Sequence, residues 1–437
     1  MLSNTPEIWG GIECSFTRIK NRYGDQLDYC GHYRRGVDDI HYIAQLGIKA
    51  LRYPIIWEKF GRCNDETSWS WLDKQLNTLK HYKIQPIAGL LHHGSGPVHA
   101  PLSDPRFAEE LAKYAFEVAT RFPFLEYFTP VNEPLTTARF CGLYGFWYPH
   151  DRSAKSFAAM LLNEIKAVVL SMQAIRQINP GAKLIQTEDL GKTYSTPLLE
   201  YQADFENERR WLTYDLLCGY VKPGHPMWDY FLWLKIPQAD LEFFLANSCK
   251  PDVIGIDYYL TSERFLDQNI KSYPSVTHGS NGRHAYADVE AIRVKHDNPY
   301  GPHVLFRECW DRYQIPIAIT EVHIHGNPLE QISWFNNIWK ECKRLASNGV
   351  NIRAVTAWAM LGTYGWSKLL TETPGEYERG VYEVKEGNLT STPYTEFLKQ
   401  LTRNTEVSAQ HGTNGWWNSE QRFITTKTKK ESIAMNV

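Results

Sequence analysis

The sequence predicts an α/β protein folded as one (β/α)8 TIM barrel, and three observations carry the prediction. Short apolar segments alternate with amphipathic helical ones along most of the chain. Eight strand-like segments can be counted, each followed by helical sequence, which is more units than a doubly wound sheet usually needs. No Pro/Ser-rich linker interrupts the alternation, so the 437 residues read as one large domain rather than two or three average ones. The expected organisation is a single barrel over residues 1–403 and a polar tail over 404–437.

The elements follow in order. EIWGGIEC, from about Glu7 to Cys14, is a short apolar strand; the helical stretch GVDDIHYIAQLG after it can stop at Gly47. IKALRYPIIW (Ile48 to Trp57) and IQPIAGLLHH (Ile84 to His93) are the second and third strands, separated by the helix SWLDKQLNTLKHY. FAEELAKYAFEVATRF is helical, and LEYFTPVNEP is a fourth strand that its second proline halts at Glu133. A long helix from about Ala154 to Ile178 ends at NPG; AKLIQTED is the fifth strand, and ERRWLTYDLLCGY the helix after it. DVIGIDYY (Asp252 to Tyr259) is the sixth strand, whereas residues 260–300 lack firm periodicity and read as a long loop of the kind that builds barrel active sites. IPIAITEVH (Ile315 to about His323) and VNIRAVTAWAML are the last two strands, with helices HVLFRECWDRY, PLEQISWFNNIWKECKRLASNG and EFLKQLTR around them. In the tail, Trp416 and Trp417 are candidates to dock on the barrel, and KTKKESIAMNV looks frayed.

Composition removes several classes. With 43% hydrophobic residues there is ample core material, and a formal charge of -2 gives no field to draw in nucleic acid or an anionic membrane. No run reaches the 18 or more apolar residues of a membrane span; the nearest, AAMLLNEIKAVVL, is broken by Asn163, Glu164 and Lys166. Eight scattered cysteines form no CxxC, and the start MLSNTPEIWG has neither a basic nor an apolar leader region. The expectation is a reduced, cytoplasmic protein. The 15 Trp, 25 Tyr and 19 Phe exceed ordinary usage; beyond packing, aromatic faces stack on sugar rings.

Chemistry is expected at the carboxyl ends of the strands. There TPVNEP places Asn132 and Glu133, and ITEVH places Glu321. Two carboxyls across a cleft suit glycoside cleavage, one protonating the leaving oxygen and the other attacking C1 or activating water. A separation of about 5 to 5.5 Å implies retention, and about 6.5 to 9.5 Å inversion.

These segments resemble glycoside hydrolase family 1, the β-glucosidase and β-galactosidase family, over about residues 8 to 400. TPVNEP is similar to the family's TxNEP motif and ITEVH stands where its ITENG would be, so the resemblance implies Glu133 as acid/base and Glu321 as nucleophile. LRYPIIW resembles YRxSIxW, which makes Arg52 the group that holds the nucleophile. LLHHGSGP resembles LxHWDLP, placing His92 on the sugar-binding histidine and His93 where Trp is usual. GIDYYLTS resembles GxNYYTS, implying a hydrogen bond from Tyr259 to the nucleophile; Asn132 would meet the sugar 2-hydroxyl. Trp57 reads as packing.

The chain also departs from that pattern. In TAWAMLGTYGW, Trp358 and Trp366 fit the two tryptophans around the sugar, but Gly365 occupies the place of the Glu that clamps its outer hydroxyls. WGGIECSF lacks the usual Gln, with Glu13 as a possible replacement, Asp257 stands for an Asn, and His323 and His325 stand near Asn-Gly. An Arg379-Gly380 pair resembles the family's RFG element. The four histidines suggest a metal, but no HxxxH or HExxH helix is present and polar lining of a sugar pocket explains them, so neither metal nor cofactor is expected. The implied partner is a small-molecule or oligosaccharide β-glycoside with an altered glycone, cleaved with retention; no nucleic acid or membrane insertion is expected, and oligomeric state stays open. Transfer to a non-water acceptor shares the mechanism, and a non-catalytic carbohydrate-binding barrel is the alternative from another class. A dehydrogenase or phosphate-handling barrel lacks its motifs.

Overall fold

The computed structural model describes residues 5–61, 66–290, 300–403 and 415–418. Eight parallel strands close into a barrel: β1 (Glu7–Gly11), β2 (Ala50–Pro54), β3 (Gln85–Gly89), β4 (Tyr127–Thr129), β5 (Lys183–Asp189), β6 (Val253–Tyr258), β7 (Ile317–Val322) and β8 (Ile352–Ala357). Each pairs with its neighbours in chain order, and β1 closes the ring by pairing with both β8 and β2. Most strands are buried on both faces, which is why their sequences read as continuous apolar runs.

The barrel has an apolar floor and a polar ceiling. Trp9, Ala50, Ile87, Ile185, Val253, Ala318 and Ala354, joined by half-buried Tyr127, bring one residue from every strand into the floor cluster. Toward the carboxyl ends the inward side chains become Arg52, Asn132, Thr187, Asp257, Thr320 and Glu321, all buried. Burying so many polar groups is costly unless they satisfy one another, so this layer is expected to be a hydrogen-bonded network.

The outer layer includes α1 (His32–Ala44), α2 (Glu66–His81), α3 (Phe107–Arg121), α4 (Ala154–Ile178), α5 (Leu212–Leu217), α6 (Pro302–Tyr313), α7 (Pro328–Ser347) and α8 (Pro393–Thr402). Start signals in the sequence act as expected. Ser153 caps α4 by accepting from Ser156 N at 3.0 Å, and Asn327 caps α7 in a capping box with Glu330, with Pro328 in the first turn. By length and composition α4 could cross a membrane; here 67% of its most apolar window is buried, and it packs against α3.

The long loop expected over 260–300 is corrected by the structure over residues 260–290, while 291–299 lie outside the described residues. Glu263–Asp267, Ala285–Glu290 and His278–Ser280 are strands, and they form a four-stranded sheet with Lys192–Ser195 from the loop after β5. Tyr194, Phe265, Tyr273, Ala287 and Val289 make its small core. In the tail, Trp417 is buried edge-on against Trp334 of α7, with ring centroids 5.4 Å apart. The rest of the tail expectation, including KTKKESIAMNV, lies outside the described residues, as does Cys63. The other seven cysteines are free thiols.

Candidate active site

Two irregularities at the strand ends build the site. The register of β7 against β6 shifts so that Ile319 faces Ile256 while Glu321 faces Asp257, leaving Thr320 as an extra residue. Such a bulge re-aims the side chains beside it. Its Thr320 carbonyl accepts from Arg52 Nη1 at 3.0 Å, and its hydroxyl donates to Asp257 Oδ1 at 2.6 Å. Glu133, between β4 and a short helix Pro134–Ala138, has a left-handed backbone with φ 45, a conformation non-glycine residues hold only where surroundings enforce it. The enforcing group is Glu188 of β5. Its carboxylate accepts from Leu135 N at 2.8 Å, Thr136 N at 3.2 Å, Thr136 Oγ1 at 2.9 Å and Thr213 Oγ1 at 2.7 Å. Burial pushes the Glu188 carboxyl up to about 7 despite these donors.

Glu133, Asp257 and Glu321 each place a carboxylate oxygen within 4.8 Å of the other two. That spacing matches a pair that acts without a water between its members. It is also the spacing of metal ligands, but a cation already serves the cluster: Arg52 Nη1 lies 2.6 Å from Glu321 Oε1 and 3.6 Å from Asp257 Oδ1. Arg52 Nη2 donates to Asn132 Oδ1 at 2.5 Å, which also accepts from Thr187 Oγ1 at 2.8 Å. The Asn132 amide nitrogen is left facing His92 Nε2 at 3.3 Å. The Tyr259 hydroxyl donates to Glu321 Oε2.

Glu133, Glu321, His92 and Trp358 expose only 4%, 2%, 3% and 2% of their surface, so charge here is governed by neighbours rather than water. Burial pushes Glu133 well above the usual carboxylate range, and Asp257 and Glu321 push it further. Glu321 is also raised, by burial and then Asp257, but Arg52 and Tyr259 pull it back. Only Glu321 receives a guanidinium and a phenol, so Glu321 takes the negative charge and Glu133 the proton. Arg52 loses solvation by burial yet is held protonated by Glu321 and Asp257.

The pocket wall is aromatic. His92 stacks on Trp358, with centroids 5.6 Å apart and planes 8° from parallel, and the Arg52 guanidinium lies over the same indole at 4.8 Å. His93 packs against Trp147 and Trp366, bonds Thr137 Oγ1 at 3.0 Å, and brings Nε2 to 3.7 Å from Glu133 Oε2. Burial, then His93 and Arg52, drive His92 well below its ordinary value, and burial and Arg52 push His93 down to about 3. Both are neutral imidazoles. Tyr259 and Trp366 are half-buried and lie toward the mouth.

Glu13 lies at the end of the pocket lined by Trp358 and Trp366. Its carboxylate accepts from Ser15 N at 2.8 Å and Ser15 Oγ at 2.5 Å, with His92 Nε2 3.9 Å away, and the Trp366 and Trp358 indoles favour its anion. Burial raises its pKa above the ordinary value. Gly365 has φ +77, and a Cβ there would meet Pro374 O at 2.9 Å, so the backbone has closed over the position of the absent clamp. His323 and His325 turn away to Glu378, at 3.5 and 3.6 Å. Trp57 packs on Phe107. Gly380 lets two backbones touch: a Cβ would meet Ala359 O and Gly362 N at 2.2 Å. All ten residues singled out in the sequence thus fall in one pocket or its rim. Asp257, noted there only as an exchange, Thr320, Glu188 and Trp147 complete it. No sequence signal marks the last three, because each acts through a partner far along the chain.

A parallel eight-stranded barrel with paired carboxyls at the carboxyl ends of β4 and β7 defines a glycoside-cleaving class, and the chain belongs to glycosyl hydrolase family 1, whose family model matches residues 6–377. By class it is a retaining β-glycoside hydrolase. It is similar to the aryl-phospho-beta-D-glucosidase BglC of Bacillus subtilis, 21% identical over 379 residues, covering 77% of this chain and 78% of that protein. It is 24% identical over 374 residues to the phospho-cellobiase of Klebsiella oxytoca, covering 77% of each. Among solved structures, the virulence factor SghA from Agrobacterium tumefaciens shares the fold with a TM-score of 0.75 at 17% identity, covering 92% of this chain and 98% of that one. The family 1 β-glucosidase of Thermotoga maritima superposes with a TM-score of 0.71 at 17% identity, over 92% of this chain and 98% of that one.

Proposed function

We propose that Glu133 is the acid/base and Glu321 the nucleophile of a retaining β-glycosidase whose glycone is not a plain glucose or galactose. The observation that carries the roles is the asymmetry of the pair: Arg52 and Tyr259 bond Glu321 and not Glu133. Glu321 attacks C1 as Glu133 gives its proton to the leaving oxygen; Glu133 then takes a proton from water, which releases the sugar. Arg52 and Tyr259 orient the attacking oxygens, and the Asn132 amide and His92 are placed to bond hydroxyls of the sugar. Trp358 and Trp366 supply its apolar walls.

The altered glycone rests on the exchange at the outer end of the pocket. Gly365 offers no acceptor there, while Glu13 presents a carboxylate among Ser15, two indoles and neutral His92. A phosphate dianion beside Glu13 would meet the repulsion of its carboxylate, and the neighbours given for Glu13 among the described residues are Ser15, two indoles and neutral His92, so the phosphorylated sugars named in the two relatives fit this pocket poorly. Free thiols throughout the described residues support a reducing, cytoplasmic setting. The test is mass spectrometry and peptide mapping after incubation with a panel of activated 2-deoxy-2-fluoro β-glycosides, 6-phosphorylated ones included. An adduct on Glu321 from an unphosphorylated, modified sugar is expected. An adduct on another residue overturns the roles, and preferential labelling by a 6-phosphoglycoside overturns the glycone reading.

A further inference from the structure

The third carboxyl of the cluster has no part in the two-carboxyl scheme. Asp257 of β6 is wholly buried. One of its oxygens, Oδ1, is occupied: Thr320 Oγ1 donates to it at 2.6 Å and Arg52 Nη1 lies at 3.6 Å. The other, Oδ2, receives no donor from any amide, hydroxyl or basic group among the described residues. What does lie beside Asp257 is the Glu133 carboxyl, with carboxylate oxygens of the two within 4.8 Å of each other, and each shifts the acidity of the other, Glu133 upward and Asp257 downward. Two carboxylates in contact repel unless a proton lies between them, and a buried unpaired carboxylate oxygen is costly.

We propose that Asp257 and Glu133 share one proton, and that Asp257 thereby acts as a positioning residue that keeps Glu133 loaded and aimed as the acid. This rests on the role given to Glu133 above. The proton belongs mainly to Glu133, because Thr320 and Arg52 stabilise the anion of Asp257 while Glu133 has no comparable donor. An Asn in this place, as in the pattern the chain otherwise resembles, would point an N–H at Glu133 and favour its carboxylate. An Asp reverses that sign and favours the acid. The charges facing the pair are Arg52 from β2, Asp189 from β5, Glu321 from β7, and Arg139 beyond the short helix, with Tyr259 and His93 as neutral neighbours. The balance holds through the first step. The proton passes from Glu133 to the leaving oxygen as the C1–O bond breaks, and Glu321 loses its charge on forming the C1 ester. Three carboxyls with one proton become two carboxylates and an ester, with the same total charge beside Arg52.

The experiment is carboxyl carbon-13 NMR of the full chain, labelled at Asp and Glu side chains and titrated without substrate, for the parent protein, Asp257→Asn and Glu133→Gln. In the parent, the Glu133 and Asp257 resonances are expected to follow the same two macroscopic steps, each step felt by both carboxyls, as a coupled pair does. In Asp257→Asn, the Glu133 midpoint is expected to fall by about one pH unit or more, a roughly tenfold gain in acidity. Independent steps in the parent, or a Glu133 midpoint unmoved by Asp257→Asn, overturn the proposal. The parent titration needs no variant, so a misfolded Asp257→Asn leaves the question decidable. A kinetic arm uses a 4-nitrophenyl β-glycoside that the parent hydrolyses: the alkaline limb of kcat/KM moves down with the Glu133 midpoint. A uniform loss of rate with the limb in place means that Asp257 only supports the fold, and also overturns the proposal. If Glu133 proves not to be the acid, the NMR arm still reads the shared proton.

Discussion

Arg52 Nη1 donates to Glu321 Oε1 at 2.6 Å with both side chains buried, which makes this ion pair the element that decides which carboxyl of the cluster is charged. Removing one partner of such a pair leaves the other uncompensated, at a cost of about 3–5 kcal/mol. In Arg52→Met, Glu321 therefore takes up a proton more readily, and the acidic limb of the pH–rate profile moves to higher pH. Arg52→Lys does not restore the rate, because the second nitrogen that bonds Asn132 is lost. Kinetics across pH on an activated aryl glycoside check this; an acidic limb unmoved in Arg52→Met would contradict it.

With Glu133 in the proposed role, Glu133→Ala is expected to separate the two chemical steps. With a poor leaving group, loss of the acid is expected to reduce the rate by about 10²–10⁴-fold. A dinitrophenyl leaving group departs without a proton, so glycosylation persists and the glycosyl-enzyme accumulates for want of a base. Burst kinetics read this directly, and added azide, attacking C1 without needing a base, is expected to restore turnover. Equal loss for both leaving groups would point to a collapsed pocket instead.

Tyr259→Phe removes only the hydroxyl that donates to Glu321. A hydrogen bond to a charged group contributes about 1.5–3 kcal/mol, so kcat/KM is expected to fall by roughly 10- to 150-fold. With its donor gone, the Glu321 acidic limb also shifts upward. A change confined to KM would assign Tyr259 to sugar binding rather than to Glu321.

The barrel was legible because most of its strands are buried on both faces and therefore read as apolar runs; β6 and β7 match their sequence segments to within one or two residues at each end. The added sheet was not. His278–Ser280 is exposed throughout, the strands span only three to six residues, and Lys192–Ser195 is supplied from about seventy positions upstream. Motif residues of the site could be placed by strand-end position, and the resemblance implied the bonds from Arg52 and Tyr259 to Glu321, yet partners outside those motifs could not be placed. That Glu188 braces Glu133, or that Asp257 lies beside it, depends on which strands become neighbours or face each other across the barrel. The bulge at Thr320 has no composition signature either.

Gly365 marks a place where the departure in sequence is a departure in backbone. With φ +77 and Pro374 O 2.9 Å from a hypothetical Cβ, Gly365→Ala is expected to destabilise the fold by about 1 kcal/mol or more. Gly365→Glu is expected to cost at least as much and not to gain activity on plain glucosides, because the side chain cannot leave this backbone in the direction of the pocket without strain. Denaturant titration and glucoside kinetics on the two variants test both statements.

Glu164 gives a pH dependence independent of catalysis. It lies on α4, wholly buried, and neither carboxylate oxygen has a hydrogen-bond partner among the described residues. Burial, with a smaller push from Glu188, raises its pKa well above the ordinary 4.5. The folded state therefore holds a proton that the unfolded chain releases above that value. Its contribution to stability is complete at lower pH and is lost as pH rises from the unfolded value through the folded one. Glu164→Gln keeps the shape and removes the titration, so its melting temperature should gain on the parent from pH 5 to pH 8. Calorimetry at several pH values reads the difference. Parallel curves for the two proteins would mean that Glu164 is already ionised in the fold and has found a partner there.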